Sequence, residues 1–287
     1  MKKTQVAVLG ATGMIGQRFV QLLEDHPYFE IGGLYASERS EGKTLAEVLR
    51  LKGVRFHEDT LSMRIEALEP KAIGKRCRAA FSGLPSDVAG DYETSLAGEG
   101  VAVFSNAASH RMDEDVPLLI PEVNPDHLEM VRGQSTFANG GFIVTNANCS
   151  TTGLALPLQA IYQGFGLRAC YVSTYQAVSG AGYPGVPSLD IMGNVVPFIK
   201  NEEEKMEEEI YKMLGTLKGG RVQCPEFDMI ASCARVPVID GHLESVVLRL
   251  GRTAKALDVA RALESFVSEP QSLELPTAPV RPIIVMK

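Results

Sequence analysis

The cysteine in the stretch TNANCSTTG, Thr145 to Gly153, is the residue of this sequence best placed for nucleophilic chemistry. Cys149 follows a strand-like run, FIVTNAN, and precedes a helix-like run, LALPLQAIY. A thiol at a helix N-terminus meets the positive end of the helix dipole and backbone N–H groups, which lower its pKa. The same local pattern also suits an inert thiol of the core, so the stretch alone leaves both interpretations open.

Three other segments carry polar residues of the types used in acyl chemistry. Gln176 ends a strand-like run before a glycine-rich loop, and Arg235 and His242 flank a Pro-Gly turn in RVPVIDGH. Glu202 and Lys205 lie three residues apart in the acidic run NEEEKMEEE, hence on one face of a predicted helix. Each also has an ordinary structural interpretation: a turn cap, a surface charge, a structural histidine or a solvated helix face.

A second candidate site lies in the segment GATGMIG, Gly10 to Gly16, between a short strand-like run and an amphipathic helix. Its glycines permit a tight turn and expose N–H groups at the helix start, where a pyrophosphate binds favourably. Glycines also serve ordinary turns, so it is the strand–turn–helix context that predicts nucleotide binding. The predicted contacts are Gly10, Thr12, Gly13, Met14, Ile15 and Gly16.

The polar segment YASERSEGK follows the second strand-like run, where the nucleotide ribose is expected. Ser37, Arg39 and Ser40 offer two hydroxyl groups and a guanidinium there, which suit a 2′-phosphate. The segment therefore predicts NADP as the cofactor. Glu38 and Glu41 keep open the alternative of a solvated polar loop.

Strand, helix and strand alternate through the first half of the chain, which predicts a parallel, doubly wound sheet. The second half has longer segments of alternating apolar and polar residues, such as ACYVSTYQAVSG and HLESVVLRLGR, typical of a sheet with one exposed face. We therefore predict a nucleotide-binding domain over residues 1–148 and a second domain over residues 149–287.

The composition excludes several classes of protein. A net charge of -7 without a basic stripe argues against a nucleic-acid partner. The five cysteines are scattered, with no CxxC pair, which disfavours both a disulfide framework and a metal site. Because no apolar run reaches membrane-spanning length and no signal-like segment opens the chain, we expect a reduced, cytoplasmic protein without a membrane partner.

Taken together, the motifs resemble the aspartate-semialdehyde dehydrogenase family, in its archaeal and fungal-like branch. The resemblance is carried, in the family's order, by GATGMIGQRF, ASERSEGK, SNAASHRM with VPLLIPEVN, NANCSTTG, TYQAVSGAG, the NEEEK helix and RVPVIDGHLESV. It implies an α/β protein, with an N-terminal Rossmann-like domain and a C-terminal α+β catalytic and dimerisation domain that forms a homodimer or homotetramer. It also implies the NADPH-dependent conversion of aspartyl-4-phosphate to aspartate-4-semialdehyde.

The resemblance also implies roles for individual residues. Cys149 would be the nucleophile, His242 the general acid/base, and Gln176 the residue that orients the intermediate. The implied substrate contacts are Arg235 for the α-carboxylate, Glu202 for the α-amino group, Arg111 and Lys205 for phosphate, and Asn148 in support. Ser82, Ser179 and Gly180 would add to the cofactor site.

Two alternatives stay open at this point. A CoA-thioester reductase, such as malonyl-CoA reductase, resembles the same branch and uses the same cysteine and histidine chemistry. Members of the family also continue past the position where this sequence stops, with a strand and a helix that return to the nucleotide domain. The resemblance therefore implies an uncovered apolar patch and weaker NADPH binding, and it leaves open an inactive NADP-binding homologue.

Overall fold

A computed structural model describes residues 2–51 and 53–286 of the chain. They form two compact units. The first comprises the residues up to Pro117 together with Leu128–Asn146, and the second comprises Leu118–His127 together with the residues from Ala147 onward. Within the described ranges, no helix is both long enough and apolar enough to cross a membrane.

The first unit is built on a parallel sheet of six strands in the order β3-β2-β1-β4-β5-β6. Central strands carry short, fully buried apolar runs, because helices cover both faces of such a sheet. The strands are β1 Thr4–Leu9, β2 Phe29–Ala36, β3 Ile65–Ala67, β4 Ala79–Ser82, β5 Ala102–Ser105 and β6 Phe142–Thr145. The helices are α1 Met14–Leu23, α2 Leu45–Val48, α3 Glu58–Ser62, α4 Pro70–Arg76 and α5 Ser86–Gly98.

The second unit contains a sheet of three strands, in the order β10-β7-β11, and a separate hairpin of β8 and β9. Its helices are α6 Cys149–Phe165, α7 Ser188–Ile191, α8 Glu202–Met213, α9 Ala256–Glu264 and α10 Glu269–Ser272. Its strands are β7 Leu167–Gln176, β8 Thr216–Lys218, β9 Arg221–Gln223, β10 Asp228–Arg235 and β11 Leu243–Leu250. The predicted α/β class is confirmed, with a Rossmann-like parallel sheet in the first unit and an α+β second unit, whose three-stranded sheet proves to be mixed.

The register of the three-stranded sheet gathers polar residues at one edge. β10 runs parallel to β7 and sets Arg235 opposite Gln176, so both strands end at the same place. β11 runs antiparallel and begins there, with Leu243 opposite Tyr175. His242, which directly precedes β11, therefore lies at the same edge as Arg235 and Gln176.

Candidate active site

Cys149 is the first residue of α6, and the residue before it caps the helix. The side-chain oxygen of Asn148 accepts hydrogen bonds from the backbone N–H groups of Ser150, at 2.9 Å, and Thr151, at 3.4 Å. An asparagine at this position satisfies donors that have no partner within the helix. As a residue Cys149 is exposed, and it lies at the surface of the second unit where a substrate can reach it.

Asn148 also fixes two acidic side chains of α8. Its side-chain amide donates to both carboxylate oxygens of Glu202, at 3.1 and 3.0 Å. Its backbone N–H donates to Glu209, at 2.7 Å. Hydrogen bonds to a carboxylate are the stronger kind, and these hold the start of α6 against α8.

Gln176 belongs to the same hydrogen-bonded group. Its side-chain nitrogen donates to Glu202, at 3.2 Å, and to the hydroxyl of Thr174, at 3.3 Å. The ammonium of Lys205 lies 3.8 Å from Glu202, one helical turn further along α8. Glu202 is thus surrounded by donors, with Lys205 as its ion-pair partner.

The backbone of Ala177 positions Arg235 and His242. The Ala177 N–H donates to Nδ1 of His242, at 3.0 Å, and its carbonyl oxygen accepts from Nη1 of Arg235, at 2.8 Å. Because Nδ1 accepts, the neutral imidazole carries its proton on Nε2. The same loop holds Ser179 and Gly180, and a Cβ atom added to Gly180 would lie 2.9 Å from Nη1 of Arg235 and 3.4 Å from Cε1 of His242.

The pKa of the Cys149 thiol differs from the value expected from the sequence. The pKa of Cys149 is raised above its ordinary value, first because the surrounding protein reduces the solvation of the thiol, although the residue is exposed, and then by the charge of Glu202. The backbone N–H groups of Ser150 and Cys149 and the charge of Arg235 lower the pKa but are outweighed. The expected net lowering of the Cys149 pKa is wrong, because the sequence revealed neither the loss of solvation at the thiol nor the nearby charge of Glu202.

The pKa of His242 is shifted in the opposite direction, below its ordinary value. Burial, then the charge of Arg235, lowers the pKa of His242 below its ordinary value, and Glu202 opposes them. The hydrogen bond from Ala177 acts in the same direction, because a proton on Nδ1 would displace it. His242 is therefore neutral at pH 7 and presents an Nε2–H donor.

Cys149 and His242 line one cavity of about 380 Å³ in the second unit. Glu244 lines it as well, from β11, and one of its carboxylate oxygens is buried without a hydrogen-bond partner. Sequence reasoning missed Glu244, although it stands two positions after His242, the spacing that returns a strand residue to the same face. It also missed Glu209, which lies seven residues after Glu202. Seven residues make two helical turns, so this spacing places both acidic side chains on one face of a helix.

The predicted nucleotide segment of the first unit forms a close-packed turn. A Cβ atom at Gly16 would lie 2.2 Å from the carbonyl oxygen of Gly10, and one at Gly10 would lie 2.6 Å from the carbonyl oxygen of Gly83. Gly13 directly precedes α1 and provides no side-chain cap, so Thr12, Gly13, Met14 and Ile15 surround the N-terminal N–H groups of the helix. Such a cradle fits a pyrophosphate.

The polar segment after β2 lies beside this turn. The N–H groups of Gly10 and Ala11 both donate to the carbonyl oxygen of Tyr35, at 2.8 and 3.1 Å. Ser37, Arg39 and Ser40 follow directly, and Arg39 is exposed within the 3₁₀ segment Glu38–Ser40.

Two other predicted residues of the first unit have polar partners inside the protein. Ser82 is buried, and its hydroxyl donates to Glu93, at 2.6 Å. Arg111 is also buried, and it donates through Nη2 to the backbone oxygen of Asn106, at 2.8 Å. The structure thus places Arg111 in the first unit, whereas the other predicted substrate contacts belong to the second.

Comparison with known proteins finds two family models. Residues 5–131 match the semialdehyde dehydrogenase NAD-binding domain, and residues 158–284 match the semialdehyde dehydrogenase dimerisation domain. The aspartate-semialdehyde dehydrogenase of Methanothermobacter thermautotrophicus is 48% identical over 98% of this chain and 81% of its own. The corresponding enzyme of Cryptococcus neoformans is 44% identical over 98% of this chain and 80% of its own.

The fold is also similar to a solved structure. The crystal structure of aspartate semialdehyde dehydrogenase with NADP from Candida albicans has a TM-score of 0.88 and 38% sequence identity. The similarity covers 98% of this chain and 81% of that one.

Proposed function

The chain belongs to the aspartate-semialdehyde dehydrogenase family, and we propose that it converts aspartyl-4-phosphate and NADPH to aspartate-4-semialdehyde, NADP and phosphate. The reaction would pass through a thioacyl intermediate on Cys149. It would serve the biosynthesis of lysine, methionine, threonine and isoleucine. The observation that carries the proposal is the capped helix start, which presents Cys149 in the cavity that His242 also lines.

Cys149 attacks the acyl phosphate and displaces phosphate. The resulting thioester is an activated acyl group, which NADPH reduces by supplying a hydride when bound. His242 acts as general acid through Nε2–H, at the oxygen that gains charge or at the departing phosphate. Gln176 orients the acyl group from the edge of the sheet.

The substrate is held by groups whose geometry suits its charges. Arg235 offers a guanidinium, the shape that binds a carboxylate with two hydrogen bonds, for the α-carboxylate. Glu202 takes the α-amino group and is itself held by Asn148. Lys205 and Arg111 take the phosphate.

The cofactor is NADP. Its pyrophosphate lies against the turn from Gly10 to Gly16, and its 2′-phosphate against Ser37, Arg39 and Ser40. Ser82, Ser179 and Gly180 complete the cofactor site. We assign this role to residues 1–148 and the catalytic and dimerisation role to residues 149–287.

The protein is proposed to work as a homodimer or homotetramer in the cytoplasm. One face of the β10-β7-β11 sheet is apolar and exposed: Tyr171 is 46%, Ile230 56% and Val247 64% accessible. An apolar sheet face of this kind is typical of an interface between copies. Sedimentation of the protein and of Val247→Lys tests it, and a monomeric native protein would contradict it.

One assay tests the reaction. Aspartate semialdehyde, phosphate and NADP should produce NADPH, measured by its absorbance, whereas malonyl-CoA with NADPH should give no turnover. Glu202 favours this outcome, because malonyl-CoA has a carboxylate for Arg235 but no ammonium group. Cys149→Ser should abolish turnover and leave NADPH binding intact.

Three results would contradict the proposal. Turnover with malonyl-CoA alone would identify a CoA-thioester reductase. NADPH binding without turnover of either substrate would identify an inactive homologue. Turnover by Cys149→Ser would contradict the assignment of Cys149 as the nucleophile.

A further inference from the structure

Acidic side chains of α8 bind the backbone along the outer edge of the three-stranded sheet. The sheet order β10-β7-β11 places β10 at that edge. The backbone N–H of Cys233 donates to the carboxylate of Glu203, at 2.9 Å, and the backbone N–H of Ala231 donates to Glu207, at 3.2 Å. Carboxylates accept the stronger kind of hydrogen bond. α8 therefore satisfies, through its side chains, backbone donors that a further strand would otherwise pair.

The spacing of these contacts fixes the position of α8 along β10. Four residues of a helix rise about 6 Å and two residues of a strand about 6.6 Å, so every fourth helical side chain meets every second strand residue. The two glutamates are four residues apart and the two amides are two residues apart. Tyr211 continues the series one turn later, since its hydroxyl donates to the backbone oxygen of Phe227, at 2.9 Å. A slip of α8 by one residue would turn these groups about 100° away from the edge.

The two elements joined in this way carry the groups proposed to recognise the two charges of the substrate. α8 begins at Glu202, the proposed partner of the α-amino group, and β10 ends at Arg235, the proposed partner of the α-carboxylate. Both substrate groups are bonded to one carbon atom, so the two side chains must keep a fixed spacing. The hydrogen bonds of Glu203 and Glu207 tie α8 directly to β10 and so act on this spacing.

We propose that Glu203 and Glu207 are positioning residues that determine specificity for a substrate with an α-amino group. They hold α8 in one register on β10 and thereby keep Glu202 at the spacing from Arg235 that an ammonium and a carboxylate on one carbon require. Without these acceptors α8 can shift along the edge, and the contact of Glu202 with the ammonium weakens. Arg235 stays in place, because the carbonyl oxygen of Ala177 holds its guanidinium. The inference rests on the proposed function for its substrate.

The first experiment tests the attachment of α8 to β10 without any substrate. The exposed residues Glu204 and Glu208 are a matched pair, also four apart on α8, so Glu204→Ala/Glu208→Ala changes charge and helix propensity as Glu203→Ala/Glu207→Ala does. Hydrogen exchange of the β10 amides, followed by mass spectrometry, should be about tenfold faster in Glu203→Ala/Glu207→Ala and unchanged in the control. Glu203→Gln/Glu207→Gln keeps an acceptor oxygen at each position and should restore slow exchange. Native exchange in Glu203→Ala/Glu207→Ala would overturn the proposal, and Glu207→Ala alone gives the same test if the double variant does not fold.

The second experiment measures specificity through turnover of aspartate semialdehyde with phosphate and NADP. Succinate semialdehyde, which has the same carboxylate and aldehyde but no amino group, is added as a competitor. In Glu203→Ala/Glu207→Ala the KM for aspartate semialdehyde should rise about tenfold, because a hydrogen bond to a charged group is weakened, and the inhibition constant of succinate semialdehyde should stay constant. The Gln pair should restore the native KM.

The two constants separate positioning from a general loss of structure. A smaller fraction of folded enzyme lowers the apparent kcat and leaves both constants unchanged, whereas a disordered site raises both together. Either result in Glu203→Ala/Glu207→Ala would overturn the inference and leave the proposed function intact. A native protein that does not turn over aspartate semialdehyde would overturn the proposed function, and the inference with it.

Discussion

The side-chain amide of Asn148 holds both carboxylate oxygens of Glu202, at 3.1 and 3.0 Å, while its carbonyl oxygen caps the helix that begins at Cys149. One side chain therefore sets the nucleophile and the proposed ammonium-binding carboxylate at a fixed spacing. Spacing of this kind matters because small displacements of reacting groups reduce rates strongly.

Substitutions at Asn148 test its two roles separately: the cap of α6 and the hydrogen bonds to Glu202. Asn148→Asp keeps a helix cap but turns a carboxylate toward Glu202, and like charges at this distance favour protonation of one of them. Its kcat/KM should fall about tenfold at pH 8 and recover partly at pH 6. Asn148→Ala should lower the free energy of unfolding by about 1 kcal/mol through the lost cap. Steady-state kinetics at the two pH values and chemical denaturation measure both, and a pH-independent Asn148→Asp would contradict the prediction.

Local patterns were sufficient to predict the elements that carry the site. The run NEEEKMEEE predicted a helix, and α8 begins at Glu202 and places Lys205 one turn along it. The glycine turn before α1 was predicted in the same way, because strand, turn and helix follow each other in the sequence. Such features depend on neighbours a few residues away.

What escaped prediction depends on contacts between distant segments. The backbone N–H of Ala177 meets His242, sixty-five residues later, and the sequence contains no local sign of this pairing. The raised pKa of Cys149 has the same origin, since Glu202 on α8 and burial outweigh the helix start. The short hairpin of β8 and β9 was also not predicted, because each strand has only three residues.

Gly180 leaves room for the guanidinium of Arg235. An added Cβ atom would lie 2.9 Å from Nη1, so Gly180→Ala should displace the group that binds the α-carboxylate. Loss of a charge-assisted hydrogen bond costs about 1.5 kcal/mol or more, and KM for aspartate semialdehyde should therefore rise about tenfold or more. Gly164→Ala is the control, because a Cβ atom there meets nothing within 4 Å. Equal KM values for the two variants would contradict the role of Gly180.

The tautomer of His242 can be observed directly. Because Ala177 donates to Nδ1 and the pKa of His242 is lowered, ¹⁵N NMR at pH 7 should show Nδ1 without a proton and Nε2 with one. The protonated ring should appear only below pH 6.5, since a lowered pKa moves the transition to lower pH. His242→Asn identifies the signal among the five histidines. A ring half-protonated at or above pH 6.5 would refute the assignment.

The turn from Gly10 to Gly16, which is proposed to hold the pyrophosphate, should not tolerate a side chain at Gly16. A Cβ atom there would approach the Gly10 carbonyl oxygen to 2.2 Å, and backbone on both sides cannot yield as a flexible side chain can. Gly16→Ala should therefore weaken NADPH binding by more than tenfold, measured by fluorescence titration. Gly98→Ala at the end of α5, with nothing within 4 Å of the added atom, is the control. Unchanged NADPH affinity in Gly16→Ala would place the pyrophosphate elsewhere.

Arg39 should decide between NADPH and NADH. It is exposed directly after β2, next to the turn that is proposed to hold the pyrophosphate, and a guanidinium binds a phosphate group with charge-assisted hydrogen bonds. Such bonds contribute about 1.5–3 kcal/mol, so Arg39→Ala should raise the Kd for NADPH by about 10- to 100-fold. The Kd for NADH should stay constant, because that cofactor has no 2′-phosphate to lose. Lys71→Ala, which removes an exposed charge from α4, serves as the control for net charge. An equal loss of affinity for both cofactors would mean that Arg39 supports the fold of the segment and does not bind the 2′-phosphate of NADPH.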